Sequence, residues 1–365
     1  MIATTALGVS ACLSVRQPST AHPPTCRPDR CAAARAAHML PAVTLEAEAS
    51  RLIDQINALN MPTFEQVGPE RARAGWEERP NPGVFVEVAG IEDRTIPGPD
   101  GNDIAVRIYR PSDGAATAEA AGALGCLVYF HGGGWVVGSI NTHDWVCRSL
   151  TMLAGVVTVS VDYRLAPEHP FPAAADDCCA ATQWAMNNAA DLGIDPARVA
   201  IGGDSAGGNL AAAVALMCRD GAANGDACGQ PALQVLIYPV TDFDRDTHSM
   251  VANAEGYLLT RSTMAWFDDH YCPPSERSNP YAAPLAVDDP AGVAPAFVIV
   301  AGHDPLRDEG VEYAQKLADA KVPTTLIEYP GQFHGFFSMT RFLDQAKEAQ
   351  ELTASVLRRT LAPSD

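Results

Sequence analysis

From Gly125 onward, short apolar runs alternate with segments of helical period, and no other feature restricts the folding of this chain as strongly. The runs Cys126–Phe130, Val156–Val161, Val199–Gly203, Leu233–Tyr238, Ala296–Ala301 and Thr324–Tyr329 are short and almost unbroken in apolar character, as strands buried on both faces are. Between and after them, Asp144–Ala154, Ala173–Asn188, Ala206–Cys218, Arg307–Ala320 and Thr340–Thr360 read as helices. Strands that alternate with helices pair in parallel, because the helix is the crossover. The expected class is therefore α/β, with a mostly parallel central sheet flanked by helices on both faces.

Upstream, Val84–Val88 and Ile104–Tyr109 flank the turn residues Pro99-Asp100-Gly101-Asn102 and read as an antiparallel edge pair. A helical pattern starts at Leu45 and is interrupted at Pro62. Between Pro239 and Pro295 no strand is evident, and Ala254–Tyr271 reads as one helix or two. This insertion and the N-terminal helix are expected to form a helical cap, from about 39–82 and 240–282. Residues 39–365 then make one domain. Residues 1–38 differ: they hold Arg16, Arg27, Arg30 and Arg35, a single acid (Asp29), and no apolar periodicity. They read as a disordered extension, a targeting segment, or sequence upstream of an alternative start at Met39.

The charge narrows the function classes. The 365 residues carry a formal charge of −19; the first 38 contribute +3, so the remainder carries −22. Such a surface repels nucleic acid and anionic membranes, so neither is an expected partner. No apolar stretch reaches the length of a membrane span. Ile2–Val15 lacks the positive start of a secretory signal, although Val9-Ser10-Ala11-Cys12 resembles a lipoprotein cleavage box. The ten cysteines show no C-x-x-C pair or metal-ligand spacing and read as small buried hydrophobes. A reducing, cytoplasmic location is expected, with export left open by the extension.

Chemistry concentrates in four places. Gly203-Asp204-Ser205-Ala206-Gly207 joins a strand to a small-residue helix, the context a nucleophile elbow requires. Chance alone gives about 0.1 such patterns in a chain of this composition, so the context carries the argument. Ser205 would project above the sheet, with the amide of Ala206 facing developing negative charge. His131-Gly132-Gly133-Gly134-Trp135 directly follows a strand, and its glycines leave the amides of Gly133 and Gly134 open to an oxyanion. His131 reads as a loop brace. A serine nucleophile needs a base and an orienting acid, in the chain order Ser, acid, His. Among His248, His270, His303 and His334, only His334 lies in a loop after a late strand and downstream of a candidate acid. That acid is Asp304, after the strand ending at Ala301. Asp308 and Glu309 fall in the next helix, where first-turn acids are commonly dipole partners.

Together with Tyr163-Arg164-Leu165-Ala166-Pro167-Glu168-His169-Pro170-Phe171-Pro172, Asp304-Pro305-Leu306 and His334-Gly335-Phe336, these motifs resemble the hormone-sensitive-lipase family of α/β-hydrolases, in its bacterial GDSAG-type carboxylesterase branch. The likeness runs from about Gly83 to the C-terminus. It extends to Asn253-Ala254-Glu255-Gly256-Tyr257-Leu258-Leu259 and excludes residues 1–38. It implies an α/β-hydrolase fold and a serine carboxylic ester hydrolase for short- to medium-chain acyl esters. The implied catalytic residues are Ser205, Asp304 and His334, with Gly133, Gly134 and Ala206 binding the oxyanion. The implied partner is a small-molecule ester. No cofactor or metal is expected, and a homodimer is left open. The Tyr163–Glu168 segment reads as structural.

Two rivals share these motifs: an amidase or deacetylase of small acylated molecules, and a non-catalytic ligand-binding receptor, against which His334 counts. Asp242-x-Asp244-x-Asp246 opens like a calcium loop. It has Thr247 and Asn253 where that loop requires Gly and Glu, and is rejected. Trp266, Phe267 and Tyr271 fit an acyl pocket or a packed helix face equally well.

Overall fold

The computed structural model describes residues 44–111, 123–224, 229–243 and 246–363. The expectations for residues 1–38, and Asp244 in the rejected calcium loop, lie outside these. Among the described residues eight strands form one sheet: β1 Gly90–Pro97, β2 Asp103–Arg110, β3 Leu124–Phe130, β4 Val157–Asp162, β5 Ile194–Asp204, β6 Leu233–Ile237, β7 Ala296–His303 and β8 Thr324–Phe333. Their order is β1-β2-β4-β3-β5-β6-β7-β8. β1 pairs antiparallel with β2, and β2 with β4; every later pairing is parallel.

The helices are α1 Ala47–Ala58, α2 Phe64–Glu77, α3 Asp144–Ala154, α4 Ala173–Asn187, α5 Ala189–Leu192, α6 Ala206–Asn224, α7 His248–Ala252, α8 Arg261–Tyr271, α9 Arg307–Asp319 and α10 Asp344–Thr360. The unbroken apolar character of the central strands follows from burial of both faces. Cys126, Val128 and Phe130 of β3 enter one apolar cluster, with α4 and α6. Leu127 and Tyr129, their alternating neighbours, enter the other, with α3 and α10.

Three local expectations need correction. Val84–Val88 is not a strand; the edge strand begins at Gly90. The Val84 amide is taken by Thr340 Oγ1 at 2.9 Å, and Phe85 packs edge-on to Trp145, so this alternating segment docks through side chains. β5 begins five residues before Val199. Its early part, around Asp195, Pro196 and Arg198, is half-exposed, and a register shift separates Leu124 from Cys126 in the pairing with β3. A second helix, α2, follows Pro62: Thr63 donates its amide to Gln66 Oε1 at 3.0 Å, and Gly68 and Pro69 kink the helix.

The N-terminal helices serve different surfaces. Ala49 and Ile53 of α1 join the cluster that holds Tyr329 of β8. In contrast, Phe64 of α2 stacks on Trp266 (5.9 Å) and tilts against Phe267 (5.5 Å) of α8. The α2–α8 pair stands beside the loop after β3.

Candidate active site

The elbow exists because three chain segments pass at contact distance. A Cβ on Gly203 or on Gly207 would overlap the carbonyl oxygen of Phe130 at the end of β3. Glycine at both positions lets β5, α6 and β3 close on one another. Ser205 between them takes a left-handed backbone (φ 57°), an uncommon and strained state for a residue with a Cβ. Local bonds hold it there. Its amide donates to Ile237 O (2.8 Å), and its carbonyl accepts from Asn209 N (3.0 Å) and Val240 N (3.3 Å). The buried Asn209 amide donates to Val240 O and Ala282 O, fixing the turn after β6.

The structure brings three of the expected site residues together. His334, the residue after β8, places Nε2 at 3.0 Å from Ser205 Oγ and Nδ1 at 2.7 Å from Asp304 Oδ2. A carboxylate at Nδ1 fixes that nitrogen as the donor, which leaves Nε2 free to accept from the serine. Asp304 is fully buried. Its second oxygen accepts from Leu306 N at 2.8 Å, and Asn253 bonds its carbonyl. Ser205 and His334 are 9% and 8% exposed, so the hydroxyl and imidazole lie largely out of bulk water. The other candidates have separate tasks. Asp308 accepts from Ser249 N, Glu309 from Thr241 N, His303 meets Tyr257, and His270 bonds Trp266 O.

The glycine loop meets the elbow at Asp204, whose carboxylate takes the Gly132 amide. Gly133 and Gly134 have positive φ (118° and 58°), and their amides join no turn or loop backbone bond among the described residues. The Phe267 ring lies against Gly134 so closely that a Cβ there would enter it. Ala206 opens α6, so its amide is one of the first-turn donors without an intrahelical acceptor.

Asp204, inside the elbow motif, is a link the sequence reading passed over. Its Oδ1 accepts from Tyr129 Oη (2.7 Å) and Gly132 N (3.1 Å), and lies 3.4 Å from His143 Nε2. Burial works against its charge, but His143 and the Tyr129 bond hold its carboxyl below the usual range. One side chain thus ties the elbow to the glycine loop. His131 is fully buried, stacked on Tyr163 at 4.3 Å, and burial with the nearby His143 lowers its pKa to about 3. Arg73 of α2 is a second unforeseen tie. It donates to Val136 O and Ala166 O, both at 2.7 Å, and pairs with Glu168. Arg164 of the Tyr163–Glu168 segment clamps the buried Asp177 of α4. Neither link has a local sequence signal.

Among the described residues no cluster of three or more His, Cys, Asp or Glu side chains could hold a metal ion, and no helix is long and apolar enough to cross a membrane. Cys126, Cys147, Cys178, Cys179, Cys218 and Cys272 are buried.

The sheet order and the Ser–His–Asp line match a known class. The family model of the alpha/beta hydrolase fold matches residues 127–338. The chain belongs to that family, and within it to the hormone-sensitive-lipase-like carboxylesterases. Carboxylic ester hydrolase LipN of Mycobacterium tuberculosis is 44% identical over 270 residues, covering 73% of this chain and 69% of that protein. The ethyl acetate hydrolase of Pseudomonas putida is 40% identical over 273 residues, covering 74% and 83%. A solved ester-hydrolase from the metagenome of Lake Arreo, complexed with a bipyridine phosphonate derivative, superposes with a TM-score of 0.80. It is 42% identical and covers 88% of this chain and 100% of that one.

Proposed function

We propose that this carboxylesterase hydrolyses short- to medium-chain acyl esters with Ser205 as nucleophile, His334 as base and Asp304 as its orienting acid. The observation that carries the reading is the line Asp304–His334–Ser205, with contacts of 2.7 and 3.0 Å. His334 Nε2 takes the Ser205 proton as Oγ attacks the ester carbonyl. The amides of Gly133, Gly134 and Ala206 receive the oxyanion. Collapse expels the alkoxide, which takes the proton from Nε2 and leaves as alcohol. Water then loses a proton to the same nitrogen, attacks the acyl-enzyme, and frees the acid and Ser205. Asp304 keeps the Nδ1 proton in place and stabilises the imidazolium.

The α2–α8 pair acts as the cap. Phe267 against Gly134 closes one side of the oxyanion loop and limits the acyl chain, and the ethyl acetate hydrolase relative supports a small acyl group. Purified protein should turn over p-nitrophenyl butyrate well and the palmitate ester poorly. Ser205→Ala should lose several orders of magnitude in kcat, on the scale of triad knockouts. Retention of activity by that variant would remove the nucleophile assignment. Comparable turnover of a matched butyryl anilide would remove the preference for esters.

A further inference from the structure

One buried aromatic ring beside the base takes no part in the proton transfers of the ester hydrolysis. Tyr238 follows β6, is 1% exposed, and holds a positive φ of 36°, strained for an aromatic residue. Its ring centroid lies 4.6 Å from that of the His334 imidazole, with the planes at 51°. Phe336 flanks it at 6.1 Å. The phenol oxygen is buried beside the backbone of Phe337, and the ring itself lies against the imidazole. Burial pushes the phenol pKa well up and keeps the ring neutral.

The turn that carries this ring is bonded to the nucleophile. The amide of Tyr238 donates to Ile299 O at 2.6 Å. On either side of it, Ile237 O accepts from Ser205 N and Val240 N donates to Ser205 O. The same hydrogen-bonded turn therefore holds the Tyr238 ring against the imidazole and its backbone against the serine.

We propose that Tyr238 is a positioning residue that acts through His334: its ring face stabilises the imidazolium formed when Nε2 takes the Ser205 proton. An aromatic face attracts a cation within about 6 Å of its centroid and has little effect on the neutral imidazole. The interaction is thus stronger in the transition state than in the resting enzyme, which is the condition for raising kcat. The groups facing His334 are Asp304 at Nδ1, Ser205 at Nε2 and Tyr238 at the ring, and the carboxylates of Asp204 and Asp304 both act on the Tyr238 phenol.

The inference rests on the proposed roles of Ser205 and His334, and the test keeps the two apart. Position 238 is varied through Leu, Phe and Phe rings of rising fluorine content, which empties the ring face of negative charge at nearly constant shape. With p-nitrophenyl butyrate, Tyr238→Leu should lower kcat about tenfold or more, and Tyr238→Phe should restore most of that loss. Fluorination should then lower kcat stepwise, with KM within about twofold, and move the acid limb of kcat/KM to lower pH as the imidazolium loses support. A flat kcat across the fluorinated series, or a loss carried by KM, overturns the role of Tyr238. His334→Ala decides the underlying reading separately: wild-type activity there would remove the base itself, whatever the ring series shows.

Discussion

Two helical glycines in this chain should respond in opposite directions to the same substitution. Gly75 in α2 has no heavy atom within 4 Å of an added Cβ, and its φ lies outside the left-handed region. Gly75→Ala should therefore gain the propensity difference, about 0.5–1 kcal/mol, mostly from a less disordered unfolded chain. Gly207 in α6 would gain the same amount were it not for its surroundings. Its Cβ would overlap Phe130 O and come within 2.7 Å of Phe130 C and 2.8 Å of His131 O, all backbone atoms. Ordinary contact begins near 3.4 Å and the Phe130 O contact would be 1.9 Å, so β3 and α6 must separate by about 1.5 Å at that point in a close-packed interior. Overpacking of this kind costs about 1–3 kcal/mol and more than offsets the propensity gain. At roughly 1–2 °C per kcal/mol for a chain this long, Gly207→Ala should lower Tm by a few degrees and Gly75→Ala should raise it slightly. Activity should separate them further. The displaced carbonyls directly precede Gly132–Gly134, and a shift approaching 1 Å between nucleophile and oxyanion donors costs about a hundredfold in rate. The assay is Tm by differential scanning fluorimetry with kcat on p-nitrophenyl butyrate for both variants. If Gly207→Ala melts and turns over like wild type, the close-approach account of the elbow is wrong.

Other features give sharper contrasts than single losses. His131 has its pKa lowered to about 3, so the unfolded chain binds a proton below about 6.5 that the native protein refuses; stability must fall with acidity between these values, by up to about 1.4 kcal/mol per pH unit. In His131→Asn the slope of Tm against pH over that window should flatten, and an unchanged slope would refute the assignment. Arg73→Met loses charge-assisted bonds to Val136 O and Ala166 O and should cost about 2–4 kcal/mol. Glu168→Gln touches only the exposed end of the same group and should cost about 0–1 kcal/mol; the reverse order by chemical denaturation would contradict this weighting. Burial pushes the Cys126 and Cys272 thiols up to about 12. Native protein treated with iodoacetamide at pH 8 should therefore show both unlabelled in peptide maps, and labelling at the rate of a free thiol would place them at the surface.

The parts of the fold legible in the sequence were those in which local pattern and environment coincide. The central strands were visible because burial on both faces leaves few polar residues in them, Thr158 and Ser160 of β4 and Gln234 of β6 among these. The alternating segment Val84–Val88 misled, because alternation reports a two-sided environment and not a hydrogen-bonded partner; the partner went to Gly90–Pro97. The first residues of β5 were missed for the converse reason, since Asp195 and Arg198 are half-exposed and break the apolar run. Helix α2 escaped because Gly68 and Pro69 interrupt its pattern.

The site divides along the same line. Gly203, Ser205 and Gly207, and the glycines at 132–134, sit within five-residue windows, and their steric requirements are local enough to read directly. Ordering Ser205, Asp304 and His334 needed only strand ends and chain order. Asp204 bonding Gly132 across 72 positions, Arg73 reaching Val136 and Ala166 from another helix, and the Tyr238 ring against His334 across 96 positions left no trace in any window. The sequence by itself determined the class of fold, the elbow and the glycine loop, because period, apolarity and the absence of a Cβ are properties of neighbouring residues. Only the tertiary structure decided which side chains brace and polarise the reacting groups. Those contacts are made by folding the sheet, and any residue of suitable reach could have supplied them.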